Sequence, residues 1–254
     1  MIIPDFGRVT TDYVQHRASF PSSFFARIRK LGLVNRGSRL LDVGCGTGAL
    51  TRHFASMGCT CVGLDRSTAM LEEARRIDTQ ANHEVHYISG RAEVLPFQED
   101  SFDVVTAGQC WHWFDRGKVA VEIDRVLVQR GLILIAHLDW VPLPGNIASI
   151  TENLIEQFNP QWTLGGGSGV YPDWYSDLAC AGFENIESFS FDVRIDYTPE
   201  DWIGRIRASA GIGASLDPVD VARFSAELRE RLPDTRGAAL AIPHRVWTIY
   251  ARKP

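Results

Sequence analysis

From residue 39 onward the chain sets short apolar runs between amphipathic stretches. Arg39–Val43, Cys59–Leu64, Val85–Ser89, Phe102–Ala107 and Leu132–Ala136 read as five strands, with helices over Leu50–Met57, Thr68–Ile77 and Lys118–Val128 between them. Strands apolar on both faces, alternating with helices, predict an α/β protein with a parallel sheet covered on both sides. Ahead of this core, residues 1–38 read as an arm and a helix. The helix carries apolar positions at 20, 24, 25, 28 and 31 and stops at Gly32. Beyond 140 the rhythm loosens. Ile147–Phe158, Pro172–Ala181, 199–209 and 218–231 look helical, Asn159–Val170 is a glycine-rich loop, and Ile186–Ile195 and Arg245–Ala251 alternate as strands. That makes seven strands in one expected domain over 1–254. Its core is 39–139, with helical covers at 140–182 and 198–238.

Composition narrows the class. The 254 residues are 45% hydrophobic and 22% charged, which excludes disordered, collagen-like and disulfide-scaffold chains. A net charge of −5 gives no overall positive field for a phosphate backbone, so no nucleic-acid partner is expected. Between 218 and 236, Arg223, Arg229, Arg231 and Arg236 are balanced by Asp220, Glu227, Glu230 and Asp234. The start shows no signal-peptide pattern and no apolar run approaches a bilayer span, so no membrane partner is expected either. Five cysteines without a CxxC fit reduced thiols in a cytoplasm, and both a monomer and a homodimer remain open.

Candidate chemistry begins at Leu41-Asp42-Val43-Gly44-Cys45-Gly46-Thr47-Gly48-Ala49, between the first strand and its helix. Gly44, Gly46 and Ala49 satisfy the G-x-G-x-x-G/A pattern of dinucleotide sites, so an NAD(P)-dependent oxidoreductase is one reading. Asp42 argues against it. A carboxylate beside the loop repels a pyrophosphate and attracts an ammonium or a sulfonium. Asp65, ending the second strand, can accept hydrogen bonds from the ribose hydroxyls of any adenosine ligand.

With Asp42-Val-Gly-Cys-Gly-Thr-Gly, Asp65, Leu95-Pro96-Phe97 and Ser101-Phe102-Asp103-Val104-Val105, the chain resembles the class I S-adenosylmethionine-dependent methyltransferases. Ala92-Glu93-x-Leu-Pro-Phe and the later His112-Trp113-Phe114-Asp115 are similar to the small-molecule branch that includes trans-aconitate and ubiquinone/menaquinone methyltransferases. The resemblance is strong from about 38 to 139. It implies a Rossmann-like fold, S-adenosyl-L-methionine as cofactor with S-adenosyl-L-homocysteine as product, and cofactor contacts at Asp42, Gly44, Cys45, Gly46, Gly48, Asp65, Arg66, Ala92, Glu93 and Gln109. Tyr13 and Arg17 match a substrate-side arm in that branch. One position departs: Arg91 stands where the family usually has an acid for the adenine amino group, a contact that would pass to the backbone of Ala92 or to Glu93. A catalytically silent adenosyl-ligand binding protein is therefore a further alternative.

The acceptor is expected beyond the carboxyl ends of the strands, and Asp103, opening the fourth strand, reads as structural. His112 is the candidate general base, since histidine titrates near neutral pH; a pocket-shaping role is the alternative. His137 is a lesser candidate, and His53, His83, His86 and His244 lack support. Trp111, Trp113 and Phe114, and in or near the cover segments Trp140, Trp162, Tyr171, Trp174 and Trp202, are candidate acceptor-lining rings, with core packing the bland alternative. Arg205 and Arg207 point to different helix faces; one clamping a carboxylate and both being solvated are the two readings. No cluster has metal-ligand spacing.

Overall fold

The computed structural model describes residues 5–81, 85–234 and 237–254. His83 and Arg236 lie outside them. Seven strands, β1 (Arg39–Val43), β2 (Thr60–Asp65), β3 (His86–Ser89), β4 (Phe102–Gly108), β5 (Leu127–Trp140), β6 (Glu184–Tyr197) and β7 (Leu240–Arg252), form one sheet ordered β3-β2-β1-β4-β5-β7-β6. The pairs β1/β2, β1/β4, β2/β3 and β4/β5 are parallel. In β1 four consecutive residues, Leu40 to Val43, are buried. Successive side chains point to opposite faces, so both faces are covered there, as the continuous apolar run predicts.

The helices are α1 (Thr10–His16), α2 (Ser22–Lys30), α3 (Ala49–Ser56), α4 (Thr68–Ala81), α5 (Arg116–Val126), α6 (Ile147–Phe158), α7 (Asp173–Cys180), α8 (Pro199–Arg207) and α9 (Pro218–Arg231). Their starts are written locally. Asn146, Thr198 and Asp217 each accept a main-chain N–H of the first turn of α6, α8 and α9, and Pro199 and Pro218 open the last two.

Two expectations need correction. The fifth strand runs over Leu127–Trp140, not Leu132–Ala136, and the helix before it ends at Val126. Arg130 adopts a left-handed φ of 62° and the β4/β5 register shifts between Phe102 and Val104. The strand thereby passes through Gln129-Arg130-Gly131, polar residues that read as a break. The seventh strand likewise starts at Leu240, five residues before the alternation becomes clear.

The chain divides into two compact units. One comprises Met1–Ala18, Asp139–Val170 and Phe191–Arg245. Its core gathers Leu154, Ile155, Trp202, Ile203, Ile206, Phe224 and Leu228. Gly204 has no side chain because His16 lies where a Cβ would be. The other unit comprises Ser19–Leu138, Tyr171–Ser190 and Val246–Pro254, and holds β1–β4 with α2–α5 and α7. Here Asp103 accepts from the Arg39 main chain at 2.8 Å and pairs with its guanidinium, the structural tie expected of it.

Candidate active site

The turn between β1 and α3 is shaped by three glycines in the left-handed region, Gly44, Gly46 and Gly48 with φ of 67°, 54° and 76°. Side chains tolerate that conformation poorly. Two of the three also make room for neighbours. A Cβ on Gly44 would press on Cys110 and Phe114, and one on Gly48 would overlap the Tyr87 hydroxyl. The Gly44 amide donates to the Leu64 carbonyl at 2.7 Å, which ties the turn to the end of β2.

Asp65 stands at that end. Its carboxylate accepts the Gly46 N–H and the Ser67 N–H, both at 2.8 Å. Burial raises its pKa, against the pull of those two amides and of Arg66. A carboxylate has about four lone-pair sites, so acceptor capacity is left for a diol. The backbone turn and this remaining capacity fit an adenosine ligand. Arg66 itself is exposed.

Asp42 is placed differently from the neighbour-of-the-ligand expectation. It is 1% exposed, and its two oxygens accept from Thr51 at 2.6 Å and Thr106 at 2.9 Å. It thus ties β1 to the first turn of α3 and to β4. Burial pushes its pKa up to about 6, with the threonine hydroxyls opposing the shift. The Cys45 thiol is kept protonated by burial and by Asp42 and Asp65.

Around the remaining cofactor candidates, Ala92 is buried and Glu93 accepts from the Asp115 N–H at 3.4 Å. The Arg91 side chain is 75% exposed and pairs with Glu93, also at 3.4 Å. Gln109, directly after β4, has a φ of 65°, rare for a side-chain-bearing residue. Its amide and side chain hold the Ala136 and Leu138 carbonyls, at 2.9 Å and 3.0 Å. That strain turns the chain into the 3-10 turn Trp111–Trp113.

His112 sits on this turn. Its Nδ1 lies 3.1 Å from Nε2 of His137, whose Nδ1 lies 3.3 Å from the Tyr171 hydroxyl. The sequence marks both histidines, and Tyr171 among the aromatic candidates, but not the link that joins them. Only tertiary contact could show it, because Tyr171 is 34 positions from His137. Proton positions along this chain depend on the tautomers.

The aromatic candidates divide by unit. Trp111 and Trp174 are 0% and 1% exposed. Trp111 donates to Asp177 at 3.1 Å, and Trp174 stacks on Tyr171 with ring centres 4.3 Å apart. Trp113, partly exposed, lies beside the His112 ring. In the other unit Trp202 is fully buried and donates to Thr151 at 3.0 Å, while Trp140 donates to Glu152 at 2.7 Å. There, too, Arg17 lies over the Tyr13 ring and Arg205 over the Trp140 ring. Arg205 is 6% exposed, which corrects the solvated reading; Arg207 instead pairs with Asp12. Among the described residues no group of His, Cys, Asp and Glu could hold a metal ion.

Residues 41–135 match a family described as a methyltransferase domain. The chain is 35% identical over 190 residues to the uncharacterized methyltransferase YcgJ of Bacillus subtilis, spanning 71% of this chain and 72% of that protein. The chain belongs to the class I methyltransferases. This methyltransferase is also 35% identical over 140 residues to the malonyl-[acyl-carrier protein] O-methyltransferase of Enterobacter lignolyticus, covering 55% of the chain and 54% of that enzyme. It thus spans little more than half the length of that enzyme. Among solved structures, phosphoethanolamine N-methyltransferase 2 of Haemonchus contortus, in complex with phosphomonomethylethanolamine and S-adenosylhomocysteine, superposes with a TM-score of 0.61 at 22% identity, over 100% of this chain and 60% of that one. The shared fold is the Rossmann-like methyltransferase fold. These relatives lend nothing to an oxidoreductase reading.

Proposed function

We propose that this chain transfers a methyl group from S-adenosylmethionine to a small-molecule acceptor at oxygen, nitrogen, sulfur or carbon. The observation that carries the proposal is the Asp65 carboxylate, held by the Gly46 and Ser67 amides at the mouth of a turn built from three left-handed glycines. Asp65 accepts the ribose hydroxyls, and the Gly44–Gly48 backbone receives the methionine end. Ala92, Glu93 and Gln109 border the same end of the sheet. S-adenosylmethionine supplies the electrophilic methyl group.

His112 takes the acceptor's proton. In the tautomer in which His112 Nδ1 donates to His137 and His137 Nδ1 to Tyr171, His112 would carry its lone pair on Nε2, as a base requires. Asp42 acts through the scaffold by holding β1, α3 and β4 together.

A small acceptor suits the net charge of −5, which offers no field for nucleic acid. A reducing, cytoplasmic setting suits five cysteines that are all free thiols. No described helix is long and apolar enough to cross a membrane. The test is calorimetric titration with S-adenosylhomocysteine. Binding in the micromolar range is expected, and no heat or thermal stabilisation at millimolar ligand would remove the cofactor assignment.

A further inference from the structure

The unit that carries α1, α6, α8 and α9 buries a cation whose guanidinium is only partly answered. Arg205, on α8, is 6% exposed, and its Nη1 is buried with no hydrogen-bond partner. A buried guanidinium nitrogen left without an acceptor is costly, and native structures seldom leave one so. A second cation makes matters worse. Arg17, at the end of α1, is close enough that its charge, after burial itself, is the main influence lowering the Arg205 pKa to about 10. The phenols of Tyr197 and Tyr13 and the carboxylate of Asp139 pull the other way and do not restore it.

The Asp139 carboxylate acts on Arg205, yet Arg205 Nη1 is left without an acceptor. Among the described residues neither Arg17 nor Arg205 forms an ion pair. Glu152, which meets the Trp140 ring beneath Arg205, has both oxygens taken by other donors. Its Oε1 accepts from Trp140 at 2.7 Å and its Oε2 from the Gly166 amide at 2.8 Å. The flat faces on which the guanidinium groups lie are apolar: Arg205 is 4.8 Å from the centre of the Trp140 ring, and Arg17 is 4.6 Å from that of Tyr13. Two planar cations fixed on aromatic rings, one with an unused N–H, are pre-organised for a planar or tetrahedral oxyanion.

We propose that Arg205 and Arg17, walled by Trp140, Tyr13 and Tyr197, form a binding site for the anionic oxygen group of a small molecule, a carboxylate or a phosphate. The site rests on the methyl-transfer reading and deepens it, since Tyr13, Arg17, Trp140 and Arg205 are the substrate-side candidates of the sequence.

Thermal melts in sodium malonate, sodium phosphate and sodium chloride at matched ionic strength test it. Saturable stabilisation by malonate or by phosphate, beyond that given by chloride, is the expected result, and the more effective anion tells which group the site takes. Equal stabilisation by all three salts overturns the proposal. Arg17→Gln, at a partly exposed position, should weaken the effective anion about ten- to a hundredfold, the range of a charge-assisted bond. Arg205→Met gives the sharper contrast. If the buried arginine is merely tolerated, the variant melts higher and keeps the wild-type response to the anion, which also overturns the proposal; if the site is real, the anion response is lost.

Discussion

The Gly46 amide donates to the Asp65 carboxylate at 2.8 Å, joining positions 19 residues apart. One carboxylate thus shapes the turn and, on the proposed reading, also receives the ribose. Its other oxygen accepts from Ser67, ahead of α4, so the ends of β1 and β2 are held by a single group. The proposed binding and the loop geometry therefore depend on the same carboxylate.

Asp65→Ala should weaken S-adenosylhomocysteine by about ten- to a hundredfold, the scale of one or two hydrogen bonds to a charged group. Calorimetry on the folded variant reads it directly. Asp65→Asn should fall between the two, because the amide oxygen can still accept one of the two main-chain protons. Unchanged affinity in the alanine variant would place the ribose elsewhere.

Gly48→Ala should destabilise the fold by roughly 1–3 kcal/mol, from a left-handed φ of 76° and overlap with the Tyr87 ring and hydroxyl. Adding Tyr87→Phe removes the overlapping hydroxyl and should return part of that loss in denaturant unfolding. If the double variant is no more stable than the single one, the left-handed backbone alone accounts for the cost.

Asp42 gives a pH signature. Its pKa is raised from 3.8 to about 6 by burial. The native state then binds the proton more tightly than the unfolded chain, so this group's contribution is greatest below about pH 4. It declines as pH rises towards about 6 and is level above that. A change of that size corresponds to roughly 3 kcal/mol. Measured against Asp42→Asn, which cannot ionise, wild-type stability should fall between pH 4 and 6. A flat difference across that range would mean that Thr51 and Thr106 fully offset the burial of the charge.

The α/β alternation was legible because a doubly covered strand has to be apolar at every position, and Leu40, Leu41 and Val43 or Val104 and Val105 cannot be read otherwise. The helices α6 and α9 were legible to the residue from stripe and cap. The length of β5 was hidden, since Arg130 enters the strand by a backbone irregularity rather than by hydropathy. In the site, the glycines and Asp65 announce themselves by spacing. The orientation of Asp42 does not: whether a carboxylate faces a ligand or two threonines depends on Thr51 and Thr106, nine and 64 positions away. The burial of Arg205 was equally invisible, because only packing decides which of two helix faces is inside.

The His112–His137–Tyr171 chain separates a base from a lining residue. A sulfonium is a good leaving group, so alignment and desolvation supply much of the rate, and a base matters only where the acceptor must lose a proton. If His112 removes it, His112→Ala should lower turnover of an acceptor found by screening by about 10²–10⁴-fold, with little change in cofactor affinity. Tyr171→Phe deletes the far end of the chain without touching His112. It should lower turnover only about two- to tenfold, the worth of one neutral hydrogen bond, and should move the acidic limb of the pH–rate profile by changing the basicity of the imidazole pair. A lining role predicts the reverse pattern: His112→Ala raises the KM of the acceptor, costs less than tenfold in kcat, and leaves the pH profile where it was in both variants. Rate, KM and pH profile read together therefore assign the histidine.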